Sequence, residues 1–391
     1  MVEKEIIMCA IIAPNWVLRE PAAIRPPERY TWGAMMHAPT DARFWYHDKG
    51  HAVCDLCPRH CTLKPDQTGV CGVREFVGGR LLSTVYGRPA AIHVDPIEKK
   101  PLFHFLPGSR ILSFGTVGCN MRCRCCQNWS LSCATDERGD EFVPPERMAS
   151  LAEREGCQSV AFTYNDPTVF AEYAIDCAVA CHQRGIATVA VTAGYITSTA
   201  RDALYRHIDA ANVDLKCFTE DGYEWLASGA RLGPVLETLE DLVRRGVWLE
   251  VTTLVIPGFN DDDASMARQA GWMAEHLGQD VPLHLSAFHP DYRLRDRPRT
   301  PVDTLVRLRR VARSQGLRYV YTGNVMDDEG AATFCPSCGT RLIVRGWHDV
   351  RRSAIGPGGT CPSCRTVVAG VFEWKGARPM LHSEEQSDET T

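Results

Sequence analysis

From about residue 110 to residue 322 the chain alternates between strand-like and helix-like stretches, and this most restricts the folds open to it. The apolar run Ile111 to Phe114 reads as a strand, followed by a helix from near Pro145 to Glu155. Gln158 to Tyr164 is a second strand, after which Asp166 caps a helix with Pro167 at its first position and Gly185 at its stop. Strands follow at Ala187 to Thr192, Ala211 to Lys216, Val247 to Ile256 and Pro282 to Phe288, with helices over Pro234 to Arg245 and Asp262 to Leu277. A last helix opens at Thr300-Pro301, stops at Gly316 and leads into strand Arg318 to Tyr321. Such alternation predicts an α/β fold with a parallel sheet covered by helices. Six βα units curled into a partial barrel would set the strand ends around one mouth, where functional residues gather.

The first strand runs into Gly115-Thr-Val-Gly-Cys-Asn-Met-Arg-Cys-Arg-Cys-Cys-Gln-Asn-Trp129. Cys119, Cys123 and Cys126 stand at Cys-x3-Cys-x2-Cys, and three thiolates on one tight loop suit three irons of a [4Fe–4S] cube. The fourth iron then has no protein ligand, and an open metal position marks a reacting site. A zinc knuckle would need a second local pair, which is missing. Cys125 adjoins Cys126, so either could be the third ligand; the spacing favours Cys126.

Two further groups, of four cysteines each, flank the alternating region. Cys54, Cys57, Cys61 and Cys71 can close a tetrahedral site for zinc or hold an auxiliary iron–sulfur cluster, with His60 beside them. Cys335-Pro-Ser-Cys338 and Cys361-Pro-Ser-Cys364 form two knuckles with the spacing of a zinc ribbon. The resulting division is an extension over 1–40, a metal module and linker over 41–108, the core over 109–326, the ribbon over 327–376 and a polar tail over 377–391. Within the linker, Asp95 to Gly108 reads as packed chain, with Lys99, Lys100 and His104 as lesser candidates for orienting substrate. Cys177 and Cys181, four apart on an apolar helix face, read as core.

Eighteen cysteines at such spacings, without a basic-flanked leader ahead of Ile6 to Ala13, argue for metal in a reducing compartment, so the expected location is cytoplasmic. No apolar run approaches a membrane span. A net charge of −5 gives no electrostatic case for nucleic acid or an anionic membrane.

Polar or Pro/Gly-containing stretches stand at the predicted strand ends: Thr163-Tyr164-Asn165-Asp166-Pro-Thr168, Asp214-Leu-Lys216, Leu254-Val-Ile256-Pro257-Gly258-Phe-Asn-Asp261 and Ser286-Ala-Phe-His289-Pro290. Singly each has a bland reading, as a helix cap, an ion pair, a turn and a loop histidine. Together they fit one nucleotide-sized ligand.

With Cys54 to Cys71, Asp95 to Gly108, Gly115 to Trp129 and Tyr321-Thr-Gly-Asn324, these residues resemble the AmmeMemoRadiSam-system radical S-adenosylmethionine (SAM) enzymes, related to pyruvate formate-lyase activating enzymes. The resemblance covers about 44 to 375 and implies SAM at the open iron. Reductive cleavage would give methionine and a 5′-deoxyadenosyl radical that takes hydrogen from an unidentified substrate. It further implies that Tyr164, Asn165 and Asp166 receive the methionine amino group. Asp214 and Lys216 would meet the ribose and carboxylate side, and Ile256, Pro257, Gly258 and His289 would border adenine and ribose. A flavodoxin- or ferredoxin-type donor would supply the electron. Two alternatives stand beside this: activation of a glycyl-radical partner protein, and a catalytically silent metal-knuckle scaffold binding RNA or protein. In place of the activating enzymes' Asp-Thr-Asn-Gly, this chain has Val191-Thr-Ala-Gly194, which counts against a peptide-facing role.

Overall fold

The computed structural model describes residues 39–134 and 141–376. The extension expected over 1–40, apart from its last two residues, lies outside the described residues, as do Cys9 and the tail over 377–391.

Eight strands form the central sheet: β1 (Ala91–Pro96), β2 (Arg110–Gly115), β3 (Ser159–Phe162), β4 (Ala187–Thr192), β5 (Ala210–Asp214), β6 (Trp248–Val255), β7 (Leu283–Ala287) and β8 (Val320–Gly323). They lie side by side in chain order, and every pair from β2 to β8 is parallel. The partial barrel expected from the alternation is therefore present. The core strands are buried on both faces, as parallel strands under crossover helices must be. Phe114 meets Phe162 and Tyr173 with ring centroids 5.4 Å away in each case. Full burial of each such ring stabilises the fold by about 2–3 kcal/mol relative to exposure.

Helices α1 (Pro145–Arg154), α2 (Ala171–His182), α3 (Ser198–Tyr205), α4 (Glu220–Leu226), α5 (Gly233–Arg244), α6 (Asp263–His276) and α7 (Val302–Ser314) make the crossovers. Asp166 does cap a helical segment, accepting from Thr168 N at 2.9 Å. That segment is first a 3₁₀ turn over Pro167–Phe170, which passes into α2. Cys177 and Cys181 are fully buried on α2. Helices α3 and α4 are too short and polar to show a period in the sequence. Thr219 starts α4 by accepting from Gly222 N at 3.2 Å.

The stretch from Asp95 is less of a linker than its sequence suggests. Asp95 and Pro96 end β1, which pairs antiparallel with β2 from Ala91↔Gly115 to Pro96↔Arg110 and covers the sheet edge. The part that follows lies under the base of the barrel, where Glu250 of β6 accepts from Phe103 N and His104 N at 3.0 and 2.8 Å.

Ahead of β1, short antiparallel strands carry the first cysteine group, including Trp45–Asp48, His51–Cys54 and the hairpin Arg74–Val77/Arg80–Ser83. Gly78 and Gly79 both have positive φ (58° and 76°), as a two-residue hairpin turn requires. After β8, three strands, Thr333–Phe334, Arg341–Arg345 and Val350–Ser353, form the sheet of the ribbon.

Candidate active site at the barrel mouth

The three-cysteine loop leaves β2 at the C-terminal end of the parallel strands. Gly115 is required there: a Cβ would fall 2.2 Å from Thr163 O of the neighbouring strand end. Gly118 adopts φ +81°, and a Cβ on it would fall 2.4 Å from Cys71 O.

One side chain holds most of this loop's entry. Asn165 Oδ1 accepts from Thr116 N at 3.1 Å, and its Nδ2 donates to Thr116 Oγ1 at 3.0 Å and Gly118 O at 2.8 Å. Asn128 answers from the loop's far end, donating to Tyr164 O at 2.9 Å. The loop and the Tyr164–Asp166 turn are thus laced together. Tyr164 has a φ of 72°, a strained value for a bulky residue. Its hydroxyl donates to Asp95 at 3.2 Å, and Lys100 Nζ lies 4.7 Å from its ring centroid.

Cys119 and Cys123 are buried and Cys126 is half-buried, all three as free thiols. Burial pushes the Cys119 thiol up to about 12 and raises Cys123 as well. A thiolate is costly here unless a cation sits beside it, so three such side chains on one loop are a donor set suited to iron. Burial, and after it the charges of Cys123 and Cys119, raise the Cys126 thiol above its ordinary value; on Cys125 burial and Cys123 do the same and Lys216 opposes them.

The structure brings Lys216 to this loop. Its Nζ donates to Asp214 Oδ2 at 2.9 Å. Burial lowers its pKa, but Asp214 and the Cys123 and Cys125 thiols outweigh burial and raise it well above the ordinary lysine value. Asp214 ends β5 with its side chain 42% exposed, so part of the carboxylate remains open to a ligand. Asp166 is 4% exposed and engaged by its own chain, accepting from Thr168 N, from Thr192 Oγ1 at 3.1 Å and from Ala193 N at 2.8 Å.

The turn after β6 lies in the stretch marked in the sequence, Leu254 to Asp261, and is held by Asn260 and Asp261 within it and by Arg297 from outside it. Asn260 Oδ1 accepts from Ile256 N at 2.7 Å while Nδ2 donates to Lys216 O and Leu254 O. Arg297 donates to Pro257 O at 2.6 Å, and Gly258 N donates to Asp261 at 2.9 Å. The Ile256 side chain is fully buried, leaving backbone to face a ligand. His289 is half-buried beyond β7 and lies 3.4 Å from Pro290 O. Trp129 stacks on Tyr292 with centroids 5.6 Å apart, and Trp225 of α4 carries Arg124 and Arg297 over its ring.

His104 is not in this group. It points into the base of the barrel, within hydrogen-bond distance of Ala369 O and Tyr321. It is removed from the candidates for orienting substrate. Lys100 remains near the mouth, but it is 4% exposed and pairs with Asp95 at 2.8 Å.

The profile of the radical SAM superfamily matches residues 114–270, from the end of β2 into α6. An uncharacterized protein of Methanocaldococcus jannaschii is 41% identical over 299 residues, covering 76% of this chain and 89% of that protein. The chain belongs to the radical SAM superfamily. The pyruvate formate-lyase-activating enzyme of Clostridium pasteurianum is 25% identical over 49% of this chain and 84% of its own length. A solved radical SAM methyltransferase from Sphaerobacter thermophilus aligns over 56% of this chain and 67% of its own, at 16% identity and a TM-score of 0.45. This radical SAM chain is an enzyme with relatives among the activating enzymes, so the silent scaffold is set aside. No helix among its described residues is long and apolar enough to cross a membrane.

The C-terminal quartet is compact. The sulfurs of Cys335, Cys338, Cys361 and Cys364 all lie within 4.8 Å of one another, with Cys335 to Cys364 at 3.5 Å and Cys338 to Cys361 at 3.7 Å. Four thiolates about 2.3 Å from one tetrahedral ion stand about 3.8 Å apart, so the quartet fits a single metal ion.

Proposed function

We propose that Cys119, Cys123 and Cys126 hold three irons of a [4Fe–4S] cluster and that SAM occupies the fourth, as the radical enzymes of this superfamily require. The observation that carries this is three free thiols, two buried and one half-buried, on one laced loop at the same barrel mouth as Lys216 and Asp214. When bound, cluster and SAM together supply one-electron cleavage of a carbon–sulfur bond and a carbon-centred agent for hydrogen abstraction.

The chain's own residues do the positioning. Lys216 offers a fixed ammonium to the SAM carboxylate, and the exposed part of Asp214 meets the ribose hydroxyls. Backbone at Tyr164 and Asn165 faces the methionine amino group, since the side chains of Asn165 and Asp166 are spent on holding the turn. Backbone over Ile256, Pro257 and Gly258, held by Asn260 and Arg297, borders the adenine with His289. Fixing a substrate hydrogen beside the reacting carbon and excluding water is then the protein's share of the catalysis. The AmmeMemoRadiSam grouping rests on the residue pattern, and a flavodoxin- or ferredoxin-type protein is the expected electron donor.

The ribbon quartet is proposed to hold zinc, whose bond lengths match its sulfur spacing. A protein-borne glycyl target is the second reading, drawn from the activating-enzyme relatives. Against it, Val191 and Ala193 stand where the activating-enzyme pattern has Asp and Asn, and Ala193 N is used internally, with the shared Thr192, to hold Asp166. Full-length protein reconstituted anaerobically and reduced with dithionite should convert SAM to 5′-deoxyadenosine. A preparation with its cluster intact that forms none would overturn the reading.

A further inference from the structure

The first cysteine group does not resemble the ribbon in its spacing. Cys54, Cys57, Cys61 and Cys71 belong to one small module, in which His60 N donates to Cys57 O at 3.1 Å and a Cβ on Gly69, two residues before Cys71, would fall 3.7 Å from Cys61 Sγ. Cys54 N also donates to Cys61 O at 2.9 Å. Yet among the described residues it is the ribbon quartet alone whose sulfurs close to within 4.8 Å. No three of the four N-terminal sulfurs meet that limit, and neither do those of Cys119, Cys123 and Cys126. A mononuclear tetrahedral ion needs its thiolates about 3.8 Å apart. An iron–sulfur cube instead takes each thiolate on a different iron and sets them wider.

The N-terminal module also abuts the three-cysteine loop backbone to backbone. Cys119 N donates to Cys71 O at 3.2 Å, joining a cysteine of one group to a cysteine of the other. Arg59, between Cys57 and Cys61, donates to Asn120 O at 3.0 Å and Met121 O at 3.3 Å. In the other direction Arg122 donates twice to Val70 O, at 3.0 and 2.7 Å. Val73 packs so close that a Cβ on Gly118 would fall 2.6 Å from its Cγ1. The module is anchored behind by Arg74, fully buried, whose Nη2 meets Glu172 of α2 at 2.5 Å. On the outer side Cys61 is half-buried, with His60 and Val70 exposed beside it.

We infer that Cys54, Cys57, Cys61 and Cys71 hold a second iron–sulfur cluster, of the four-thiolate [4Fe–4S] type, that passes electrons inward across the Cys71–Cys119 hydrogen bond. In this role, which rests on the proposed function, a reduced low-potential one-electron carrier docks by Cys61 and is oxidised by one electron. The N-terminal cluster is reduced by that electron and reoxidised as it moves to the three-cysteine loop. No proton or bond change accompanies the transfer.

The test is iron, sulfide and zinc content, with Mössbauer and electron-spin spectra, on full-length protein purified anaerobically. Wild type should carry about eight irons and one zinc. The triple variant Cys119→Ala/Cys123→Ala/Cys126→Ala should keep about four irons, with a reduced-cluster spectrum of its own. The variant Cys54→Ala/Cys71→Ala should keep about four irons at the loop and lose that spectrum. It should also form 5′-deoxyadenosine at a rate at least tenfold lower with a protein donor than wild type, while a small chemical reductant restores most of the activity. Should the double variant not fold, the triple variant's iron and zinc decide alone. Wild type with about four irons and two zincs, or an iron-free triple variant, would overturn the inference while leaving the proposed function standing. Iron missing from the three-cysteine loop in wild type would instead remove the proposed function.

Discussion

At the mouth of the barrel, side-chain amides tie backbone to backbone; at its base, charges are buried in pairs. Asn165, Asn128 and Asn260 hold mouth loops without carrying charge, beside Asp166 and Arg297, which tie their turns, and Lys216 and Asp214, which form an ion pair. At the base, Arg345 of the ribbon is 2% exposed and lies 4.1 Å over the Phe103 ring, donating to Phe103 O at 2.6 Å and Thr333 Oγ1 at 2.9 Å. Glu98 faces it at 3.6 Å. Burial pushes Glu98 up and Arg345 down from their ordinary values, so their attraction offsets only part of the desolvation. Glu250 alone accepts from four donors: Phe103 N, His104 N, Trp248 Nε1 at 3.0 Å and His284 Nε2 at 2.7 Å. The base is rigid because removing any member strands another in a dry interior. The mouth is ordered more cheaply, and its polar groups stay available.

If the two ends are separable, the largest effect comes from Cys123→Ala. We expect 5′-deoxyadenosine formation to fall to background while zinc content stays at the wild-type level. Loss of zinc together with activity would show that damage at the mouth spreads to the ribbon. Next in size is Glu250→Ala, which leaves two backbone amides, an indole and an imidazole without their acceptor. Breaking a buried charged network of this kind costs about 3–5 kcal/mol, read as a lower denaturation midpoint. Protein that remains folded should still load its cluster.

Part of the acid response belongs to the base, as His104 shows; burial also lowers His348, His93 and His207. Burial pushes His104 down to about 4, so the folded chain keeps it neutral where the unfolded chain takes up a proton, below about 6.5. Between those values the unfolded state binds more protons, so stability rises with pH and is lost on acidification. From pH 6.5 to pH 5 this single group removes about 1.6 kcal/mol. His104→Gln should be less stable than wild type at pH 7 and show a shallower decline on acidification. An unchanged slope would move the acid response elsewhere.

These differences also explain what could be read in the sequence. The barrel was legible because its strands are apolar runs capped by Pro and Gly, and because Asp166-Pro167 starts a helical segment in a local way. The ribbon quartet was legible because ligand spacing is local too. Strand β1 was not: His93, Val94 and Asp95 carry no clean alternation, and the strand is defined only by its pairing with β2. His104 looked like a mouth residue because it lies near Lys100 in the chain; only the fold shows that it faces Tyr321, 217 residues away. Asn165 and Asp166 were chosen as ligand-facing by position, but their side chains hold the turn, a role set by partners on β4 and the cysteine loop. Asn260 stood inside a marked stretch without its tying role being visible, and Arg297 gave no signal, because their partners are backbone groups, which leave no trace in a sequence.

The smallest predicted effect probes whether the mouth depends on its ties. Thr192 Oγ1 donates to Asp166 Oδ2 at 3.1 Å and accepts from Gly194 N at 3.0 Å, and the residue is 3% exposed. Thr192→Val keeps the shape but removes both bonds, leaving Gly194 N without its acceptor. Asp166 retains Thr168 N and Ala193 N, so the turn should persist. The loss of stability should be about 1–2 kcal/mol. On the proposal that the turn presents backbone to SAM, its loosening should raise the KM for SAM a few-fold with kcat nearly unchanged, the pattern of a lost uniform binding contribution. A fall in kcat at constant KM would instead mean that the Asp166 tie sets the geometry of the reacting atoms. Its contribution would then be made in the transition state, and the mouth would be as rigidly constructed as the base.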